Sequence, residues 1–538
     1  MSGQVSMLDF FGTHNKINFK KQNIINNKFN FFNYSLEQYS RDVERFGLET
    51  VWAAILGYAL VNGCNGLLTV ENFGMLYELG LAKQNKTNKK ECGQYFTPDD
   101  VACLMARWLK NIKGDNICDV CCGTGNLILA FLKQIKKSEA NLLLSKGKIF
   151  LYDNDKVALK IAQHSIALIY GVEYLNSINI VFGDFMNKNI QLPSDAKVIS
   201  NPPYAKFSQL QASWHKTENV ITSKDLYSAI FEKIICSGSQ AVIITPYSFL
   251  GSSKFYPLRK VLNDYNGFIV AFDNVPGNIF NGKKHGIFNS NTANSVRASI
   301  TVIENKKNRK GFRVSHLIRF KTDEREKLLK NGYLENLISN DMQIISQQQP
   351  CYIKCHKELK NAYKSWISQS NNKLLDLLSS IKNNFVLFVP NTCRYYTTAS
   401  VSRLNRTGMM TLYAKNQISF DFLYCIINSS FAYWHWRIFD GGITYPISLL
   451  KKLPTFEGLL SKDDLIFFSK MRKKMSSIEN KYIVTKLNAG VEQENIKFPA
   501  KFREEINARF FKILRCSDDP GLLNRIHSNA ILYNMEEE

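Results

Sequence analysis

The spacing of apolar residues changes several times along this chain, and each change predicts a different kind of element. Between residues 34 and 83 apolar residues recur at helical spacing, as in LETVWAAILGYALVNG and VENFGMLYELGLA. From about 97 to 305, short apolar runs alternate with helical segments such as DDVACLMARWLKN and KVALKIAQHSIALIYG. That alternation predicts βαβ units and a parallel sheet.

Six short apolar runs in this section are the candidate strands: NICDVCC, KIFLYDND, INIVFGD, AKVISNPP, SQAVIITP and GFIVAFD. Together they predict an α/β fold with a Rossmann-like, doubly wound sheet. The basic stretch ENKKNRKG at 304–311 predicts the exit from this domain. Beyond it we predict a helix in TDEREKLLKNG, several aromatic strand-like runs and a helix-rich tail.

The same pattern divides the chain into five segments. Residues 1–33 are crowded with Asn and Lys and show no sustained period, which predicts a flexible N-terminal arm. The segments predicted after it are a helical lead-in over 34–90, the α/β domain over 91–310, a smaller domain over 311–455 and a helical tail over 456–538. No repeat of fixed period is visible.

Length and composition narrow the class of protein. A chain of 538 residues, 45% hydrophobic and 21% charged, is expected to form several globular domains. No apolar run approaches the roughly 18 residues of a membrane span, and the first residues do not resemble a secretory signal. We therefore expect a cytoplasmic protein without a membrane partner. The 12 irregularly spaced cysteines predict reduced thiols, and they form no four-ligand zinc pattern.

The charge balance predicts a polyanionic partner. The chain has 69 Lys and Arg against 46 Asp and Glu, a formal net charge of +23. The excess is regional, because residues 351–452 contain 13 basic and 4 acidic residues whereas residues 453–538 contain 14 and 13. A well-solvated basic surface is the alternative explanation, so charge alone does not identify the partner.

A glycine-rich turn follows the first candidate strand, in the order Asp119-Val-Cys-Cys-Gly123-Thr-Gly125-Asn126. Glycines at a strand-to-helix junction let the backbone approach a bound ligand. The turn lacks the G-x-G-x-x-G spacing of dinucleotide-binding folds and the lysine of a P-loop, which disfavours nicotinamide dinucleotides and ATP. A plain tight turn explains the same glycines, so other residues must decide between the two interpretations.

Carboxylates follow the next two candidate strands. Asp153 ends FLYDND, where a carboxylate can accept hydrogen bonds from both hydroxyls of a ribose, and Asp155 can instead cap the next helix. The third strand ends in Gly183-Asp184-Phe185, where Asp184 can accept from an exocyclic amine beside the ring of Phe185. These residues predict a nucleoside-like cofactor, with solvated loop acids as the alternative.

The tetrapeptide Asn201-Pro202-Pro203-Tyr204 follows the fourth candidate strand, where ligands of open α/β sheets bind. Two prolines hold the backbone rigid and remove amide donors, which leaves carbonyl oxygens as acceptors beside the Asn201 amide oxygen. Acceptors aimed at one point suit an NH2 group. Hydrogen bonds from both protons of an aromatic amine help localise its lone pair for attack on a methyl group.

With this tetrapeptide the chain resembles the amino-methylating DNA methyltransferases that use S-adenosylmethionine, specifically the gamma-type adenine-N6 enzymes of type II restriction-modification systems. GQYFTP at 93–98 resembles the cofactor-carboxylate motif of that family. DLY at 225–227 and TPY at 245–247 resemble the two segments that follow the tetrapeptide. The order of these pieces matches the gamma arrangement, and the resemblance covers residues 91 to about 305.

The resemblance implies a role for each matching position. Asn201 and the carbonyl of Pro202 would bind the target amine, Pro203 belongs to the same catalytic tetrapeptide, and Tyr204 would stack on an adenine flipped out of the duplex. The residues implied for binding S-adenosylmethionine are Thr97 and Asp119 at its amino-acid end, Gly123 and Gly125 beside it, Asp153 at its ribose, and Asp184 and Phe185 at its adenine. The resemblance implies no metal.

Further contacts to double-stranded DNA are expected outside the tetrapeptide. A second aromatic for the flipped base falls in IFNGKKHGIFNSNTANSVRASITVIEN, where both Phe280 and Phe288 fit. The C-terminal region resembles recognition domains more loosely, through INSSFAYWHWRIFDGG and YPISLLKKLP. The residues expected to contact phosphates or bases there are Arg394, Arg403, Arg406, Lys415 and Arg437. A solvated face with buried aromatics explains part of this set equally well.

The motifs together predict a site-specific, adenine-specific DNA methyltransferase with 91–310 as its catalytic domain and 311–455 as its DNA-recognition domain. It would be nucleoid-associated and would modify DNA in a restriction-modification system, with a cognate restriction endonuclease as partner. The alternatives are a modification subunit that needs a separate specificity partner, and an enzyme that acts on RNA guanine or protein glutamine. Cytosine-N4 is disfavoured because such enzymes usually begin the tetrapeptide with Ser.

The extreme N-terminus contains a second resemblance. Gln4-Val-Ser-Met7-Leu-Asp-Phe10-Phe11 resembles the peptide that inserts into sliding clamps. A short helix would present Met7, Phe10 and Phe11 as one apolar plug, which makes a sliding clamp a candidate partner. An N-terminal segment that docks on the protein's own core explains the same residues.

Overall fold

The computed structural model describes residues 31, 34–64, 66–84, 97–274, 276–280, 296–306, 311–330, 332–340, 342–344, 351–392, 396–442, 444–488 and 490–528. The chain forms two compact units. Unit 1 takes the described residues of Met1–Phe249, Lys254–Ile269 and Ile279–Phe312. Unit 2 takes those of Leu250–Ser253, Val270–Asn278 and Arg313–Glu538. The five predicted segments remain a prediction.

Unit 1 alternates helices and strands. Its helices are α1 (Leu36–Phe46), α2 (Leu48–Asn62), α3 (Phe73–Gln84), α4 (Asp99–Lys110), α5 (Asn126–Gln134), α6 (Lys137–Ser145), α7 (Lys156–Tyr170), α8 (Glu218–Ser223), α9 (Leu226–Cys236) and α10 (Tyr256–Leu262). Its strands are β1 (Asn116–Val120), β2 (Ile149–Asp153), β3 (Asn179–Phe182), β4 (Ala196–Ser200), β5 (Gln240–Pro246), β6 (Tyr265–Phe272), of which residues 265–269 belong to this unit, and β7 (Ala298–Lys306).

The strand order in unit 1 is β3-β2-β1-β4-β5-β7-β6. β1 pairs in parallel with β2 and with β4, β2 with β3, and β4 with β5. Because the chain continues from β1 to β2 on one side and reaches β4 on the other, the direction of winding reverses between β1 and β4. Ligands of open α/β sheets bind at such a point. The predicted α/β class with a doubly wound sheet is confirmed.

One strand of this sheet was not predicted. β7, from the run ASITVIENK, pairs antiparallel with β5, with Pro246 opposite Ala298 and Ala241 opposite Ile303. The sheet is therefore mixed. Gly267 of β6 lies so close to β7 that a Cβ there would be 2.0 Å from the Val302 carbonyl oxygen, so this close approach requires glycine.

Helices cover the sheet and the N-terminal helices extend that layer. α4 and α5 pack on each other and contact central strands, α7 packs on β2 and β3, and α9 packs on β5. α1, α2 and α3 share a core around Trp52, whose Nε1 donates to the Tyr39 hydroxyl at 3.1 Å. The same core includes Ala158 and Ile161 of α7, so the predicted helical lead-in packs against the α/β layer.

Unit 2 is mostly helical with short strands. Its helices are α11 (Arg325–Lys330), α12 (Tyr333–Asn340), α13 (Lys360–Gln369), α14 (Gln417–Asn428), α15 (Ser430–Phe439), α16 (Ile447–Leu450), α17 (Lys462–Ser476), α18 (Ala500–Ile513) and α19 (Gly521–Ser528). Its strands are β8 (Phe312–Ile318), β9 (Gln343–Ile344), β10 (Asn372–Lys373), β11 (Val386–Pro390), β12 (Met409–Tyr413), β13 (Pro454–Thr455), β14 (Ile483–Asn488) and β15 (Val491–Ile496). Among the described residues, no helix combines the length and apolar character needed to cross a membrane.

Aromatic side chains form the core of unit 2. The run INSSFAYWHWRIFDGG, which resembles part of a recognition domain, forms the end of α14 and helix α15, and its aromatic residues from Phe431 to Trp436 are buried. Trp434 stacks on Trp366 with ring centroids 5.2 Å apart, and Phe431 packs edge-on against Phe510 at 5.3 Å. These rings stabilise the unit by burying large apolar surfaces.

Candidate active site

The glycine turn after β1 has a backbone that most side chains disfavour. Gly123 and Gly125 have φ of +53° and +86°, and Cys121 adopts φ of +60° without being glycine. A Cβ on Gly125 would lie 2.8 Å from the Cβ of Ala162 in α7, so the turn packs tightly on that helix. A Cβ on Gly123 would meet no atom within 4 Å, so open space lies beside this residue.

Asp153, the last residue of β2, binds the glycine turn. Its Oδ2 accepts from the Gly123 N–H at 2.8 Å and its Oδ1 accepts from the Asp155 N–H at 2.9 Å. Burial raises the pKa of Asp153 from 3.8 to about 6, and these backbone donors offset part of that effect. Asp155 caps α7 by accepting from the Val157 N–H at 2.9 Å, so the two acids have different roles.

Asp119 lies within β1 and is fully buried. Its Oδ2 accepts from the Ile128 N–H at 3.0 Å, which supports the first turn of α5, and its Oδ1 has no hydrogen-bond partner among the described residues. Burial raises the pKa of Asp119 well above its usual value. A cationic or hydrogen-donating group beside Oδ1 would favour the ionised carboxylate.

Asp184 and Phe185 begin the loop that follows β3. Asp184 accepts from the Met186 N–H at 2.9 Å through Oδ1 and from the Trp214 Nε1 at 2.7 Å through Oδ2. Phe185 is buried and lies edge-on to Tyr152, with ring centroids 5.6 Å apart. The carboxylate and the ring are therefore both held in defined orientations.

The tetrapeptide follows β4 at the same edge of the sheet. Asn201 Nδ2 donates to the Thr97 Oγ1 at 2.9 Å, and the Thr97 carbonyl accepts from Asn126 Nδ2 at 2.6 Å. This arrangement presents the Asn201 amide nitrogen to Thr97 and leaves Oδ1 as the acceptor of that side chain. Thr97 joins the tetrapeptide to the first residue of α5.

Aromatic rings surround Tyr204. Its ring centroid lies 6.1 Å from that of Tyr227 and 5.9 Å from that of Phe280, both in edge-on geometry. Tyr227 is buried and its hydroxyl lies 2.9 Å from the Ser248 Oγ. The structure thus brings Phe280 to the tetrapeptide, while Phe288 lies outside the described residues.

Part of this set lines one cleft, whereas Pro202, Tyr204 and Phe280 are not part of its lining. It has an empty volume of about 1080 Å3, counting the part that is open to solvent, and residues that follow β1, β2, β3 and β4 line it. Of the predicted cofactor residues, Thr97, Gly123, Asp153, Asp184 and Phe185 line the cleft, while Asp119 and Gly125 are not part of its lining. Asn201 and Pro203 of the tetrapeptide also line it.

Sequence reasoning missed several residues of this site. Tyr77, Glu78 and Leu81 of α3 line the cleft, and the Tyr77 hydroxyl donates to the Asp155 carboxylate at 2.5 Å. Trp214 holds Asp184, as described above, and Lys233 contacts the same loop. The only signal for Lys233 is its place two residues after Phe231 in the segment that begins with DLY at 225–227.

The predicted DNA-contact residues have different surroundings in unit 2. Arg403 and Lys415 are exposed. Arg406 is half-buried and donates to the side chain of Asn495 and to Thr392 Oγ1. Arg394 lies outside the described residues.

Arg437 requires a correction. It is 7% exposed, and its guanidinium donates to Asp273 at 3.0 Å, to the Leu317 carbonyl at 3.2 Å and to the Tyr433 hydroxyl at 3.3 Å. A buried guanidinium with these partners serves the packing of unit 2, and the prediction that it contacts DNA is withdrawn. The sequence misled because a basic residue inside an aromatic helix resembles a nucleic-acid contact.

The N-terminal residues Gln4, Met7, Phe10 and Phe11 lie outside the described residues. In the part of the chain that the structure describes, no cluster of three or more His, Cys, Asp or Glu side chains has the geometry to hold a metal ion.

A cleft of this kind, at the point where a doubly wound sheet reverses direction, is typical of the α/β proteins that bind nucleoside-bearing ligands. Comparison with known proteins gives the family. The model of the N-6 DNA Methylase family matches residues 69–347, just over half of the chain, and the chain belongs to this family. The resemblance predicted from the tetrapeptide is confirmed.

Two curated relatives are similar to this region. The Type I restriction enzyme MpnII methylase subunit of Mycoplasma pneumoniae is 23% identical over 271 residues, which are 45% of this chain and 46% of the relative. The Type II methyltransferase M.VspI of Vibrio sp. is 29% identical over 198 residues, 35% of this chain and 45% of the relative. The chain thus spans about half the length of these relatives.

A solved structure of the Type ISP restriction-modification enzyme LlaGI, a nuclease-deletion mutant in complex with a DNA substrate mimic, is 12% identical. It covers 84% of this chain and 61% of the other, with a TM-score of 0.44.

Proposed function

We propose that this chain is an adenine-N6-specific DNA methyltransferase that uses S-adenosylmethionine. The observation that carries the proposal is the tetrapeptide at the carboxyl end of β4, with Asn201 and Pro203 lining the same cleft as the glycine turn and Asp153. A site for an amine and a site for a nucleoside-bearing cofactor therefore share one space. Membership of the N-6 DNA Methylase family supports this assignment.

The residues that line the cleft, together with Asp119 beside it, fit S-adenosylmethionine. Asp153 presents a carboxylate at the cleft wall for the two ribose hydroxyls, and Asp184 and Phe185 offer an acceptor and a ring to the adenine. Thr97 contacts Asn201 of the tetrapeptide, and the amino-acid end of the cofactor would bind on this side of the cleft. The buried Oδ1 of Asp119 suits a positively charged neighbour, such as the cofactor's amino group. When bound, this cofactor supplies a methyl group on a positively charged sulfur.

The tetrapeptide would bind and orient the target amine. Asn201 Oδ1 and the Pro202 carbonyl accept its two protons, because Thr97 already occupies the Asn201 amide nitrogen. These hydrogen bonds direct the nitrogen lone pair out of the ring plane and towards the cleft. Tyr204, fixed by the rings of Tyr227 and Phe280, provides the stacking face for the flipped base.

DNA is the proposed substrate because of charge and family. The formal net charge of +23 suits a phosphate backbone, and Arg403 and Lys415 are exposed in the basic region 351–452. Within the proposal, residues 91–310 carry catalysis and 311–455 carry recognition. The names of the curated relatives favour a role in a restriction-modification system, with a cognate endonuclease or specificity subunit as partner and the cytoplasm as location.

Methylation mapping tests the proposal. Purified protein is incubated with S-adenosylmethionine and unmethylated DNA, and N6-methyladenine is located by single-molecule sequencing. We expect methylation at one short sequence, and none with the Asn201→Ala variant. Unmodified DNA despite cofactor binding would replace this proposal with the partner-dependent modification subunit, tested by adding a specificity subunit. Methyl transfer to RNA or protein alone would refute DNA as substrate.

A further inference from the structure

The loop that follows β3 is attached to helix α9 by a single lysine. Lys233 Nζ donates to the carbonyl of Phe185 at 2.5 Å, of Asn187 at 2.7 Å and of Ile190 at 2.7 Å. An ammonium group has three protons, so these three carbonyls use its full donor capacity. The ammonium also lies 4.7 Å from the centroid of the Phe185 ring. One side chain therefore fixes the whole span 185–190.

The loop has further contacts with β2 and with the loop after the tetrapeptide. On the side of β2, the Phe185 ring packs edge-on against Tyr152, whose hydroxyl donates to the Gln191 carbonyl at 3.2 Å. On the other side, Lys188 N–H donates to the Ser213 carbonyl at 2.9 Å, and Trp214 Nε1 donates to Asp184. The loop thus lies between α9 and residues 213–214.

Partial removal from water disfavours the charged form of this ammonium group. Half-burial lowers the pKa of Lys233 from 10.5 to about 8, although the negative charge of Asp184 opposes that shift. The Lys233 ammonium directs all three of its protons to backbone oxygens of one loop. Its hydrogen bonds to that loop are charge-assisted and therefore stronger than neutral ones.

We propose that Lys233 is a positioning residue for the adenine end of the cofactor cleft. This inference rests on the proposed function, because it assigns Asp184 and Phe185 to the adenine of S-adenosylmethionine. Lys233 is not part of the cleft lining and acts through the loop. By fixing the backbone at Phe185, it sets the position of the neighbouring Asp184 carboxylate, which accepts from the 6-amino group, and so the selectivity for adenine over other bases.

The test compares two ligands that differ only at the base. Binding of S-adenosylhomocysteine and of S-inosylhomocysteine, which has an oxygen in place of the 6-amino group, is measured by calorimetry for the wild type and for Lys233→Met. We expect the variant to lose about tenfold in affinity for S-adenosylhomocysteine, the effect of one charge-assisted hydrogen bond network, with less than about twofold loss for the inosyl ligand. The preference for the adenine ligand over the inosyl ligand would therefore fall about fivefold or more.

Lys197→Met is the matched control. Lys197 is a buried lysine of unit 1 that, like the half-buried Lys233, has its ammonium over an aromatic ring, 5.1 Å from the centroid of Phe131, and burial lowers its pKa too. It does not line the cleft. We expect this variant to bind both ligands as the wild type does, so a loss shared by both lysine variants would indicate general destabilisation and overturn the inference.

A second variant keeps the test decisive if Lys233→Met does not fold. Lys233→Arg retains the charge, but the planar guanidinium group of arginine cannot direct three protons to three carbonyls that surround one point. A smaller loss restricted to S-adenosylhomocysteine is expected. Equal losses for the two ligands, or unchanged selectivity in both Lys233 variants, would refute a positioning role. If the wild type bound neither ligand, the proposed function itself would fail.

Discussion

Asp153 gives a pH-dependent prediction for cofactor binding. Its carboxylate lies at the cleft wall, accepts hydrogen bonds from the Gly123 and Asp155 N–H groups, and has its pKa raised by burial to about 6. Ribose hydroxyls donate most strongly to an ionised carboxylate. The affinity for S-adenosylhomocysteine should therefore rise as the pH increases through about 6 and should be constant above about 7.

The size of this effect follows from the fraction ionised. With a pKa of about 6, about one tenth of the free protein has ionised Asp153 at pH 5 and about nine tenths at pH 7, so the dissociation constant should fall about tenfold, or about 1.4 kcal/mol. The stability of the free protein has the opposite sign. Because the folded pKa lies above 3.8, this carboxyl lowers stability as the pH rises from about 4 to about 6.

Calorimetric titration with S-adenosylhomocysteine at pH 5 to 8 is the assay, since the ligand's own charged groups titrate outside the decisive range. Asp153→Asn removes the titrating group, so its dissociation constant should be about tenfold higher than that of the wild type at pH 7 and should not depend on pH. Asp119→Asn controls for the other buried carboxyl and should retain the rise near pH 6. A wild-type profile that is flat from pH 5 to 7, or a pH dependence that survives in Asp153→Asn, would refute the assignment of Asp153 to the ribose.

Three further predictions separate chemistry, backbone geometry and packing. Asn201→Ala should lower the rate of methyl transfer at least about 100-fold and leave the S-adenosylhomocysteine dissociation constant within about threefold of the wild-type value. An affinity loss as large as that of Asp153→Asn would contradict the assignment of Asn201 to catalysis and of Asp153 to cofactor binding. Gly125→Ala places a Cβ 2.8 Å from α7 at φ of +86°, so urea denaturation should show a loss of about 1–3 kcal/mol, and an unchanged midpoint would contradict it. Arg437→Met should cost about 1–3 kcal/mol in the same assay, because it removes the nearer of the two guanidinium partners of the buried Asp273 carboxylate and leaves Arg319 at 4.0 Å. Arg403→Ala should change stability by less than about 0.5 kcal/mol and weaken DNA binding, and the reverse pattern would contradict both expectations.

The elements of the sheet that the sequence predicted are those with a local signal. β1 to β6 are short apolar runs bounded by polar residues, and parallel strands buried on both faces, such as β1 and β4, have such sequences. β7 has an equally apolar run, but its antiparallel pairing with β5 depends on which edge is free after the other strands assemble. The hairpin of β14 and β15 lies within the segment 456–538, for which the sequence predicted a helical tail, and polar residues such as Lys486, Glu492 and Glu494 give its strands no clear apolar run.

The residues of the site also separate into those that a local sequence pattern reveals and those that it does not. The tetrapeptide and the glycine turn are continuous in sequence, so their residues could be named before the structure was known. Lys233 is 48 residues from Phe185, and Trp214 is 30 from Asp184, and no local pattern records either pairing. Arg437 shows the opposite error, because a basic residue among aromatics has the same local pattern whether it faces DNA or a buried carboxylate.

Thr97 connects the two halves of the proposed reaction. Its hydroxyl accepts from Asn201 Nδ2, and this contact decides which end of the Asn201 amide faces the target amine. A hydroxyl that accepts one hydrogen bond retains its own proton, and in the proposed complex that proton is available to the carboxylate at the amino-acid end of the cofactor. By accepting that proton, the cofactor carboxylate would fix the orientation of the Thr97 hydroxyl. The Thr97 hydroxyl would in turn fix the side-chain amide of Asn201. The orientation of the Asn201 oxygen would then depend on a filled cofactor cleft, which would couple recognition of the amine to the presence of its methyl donor.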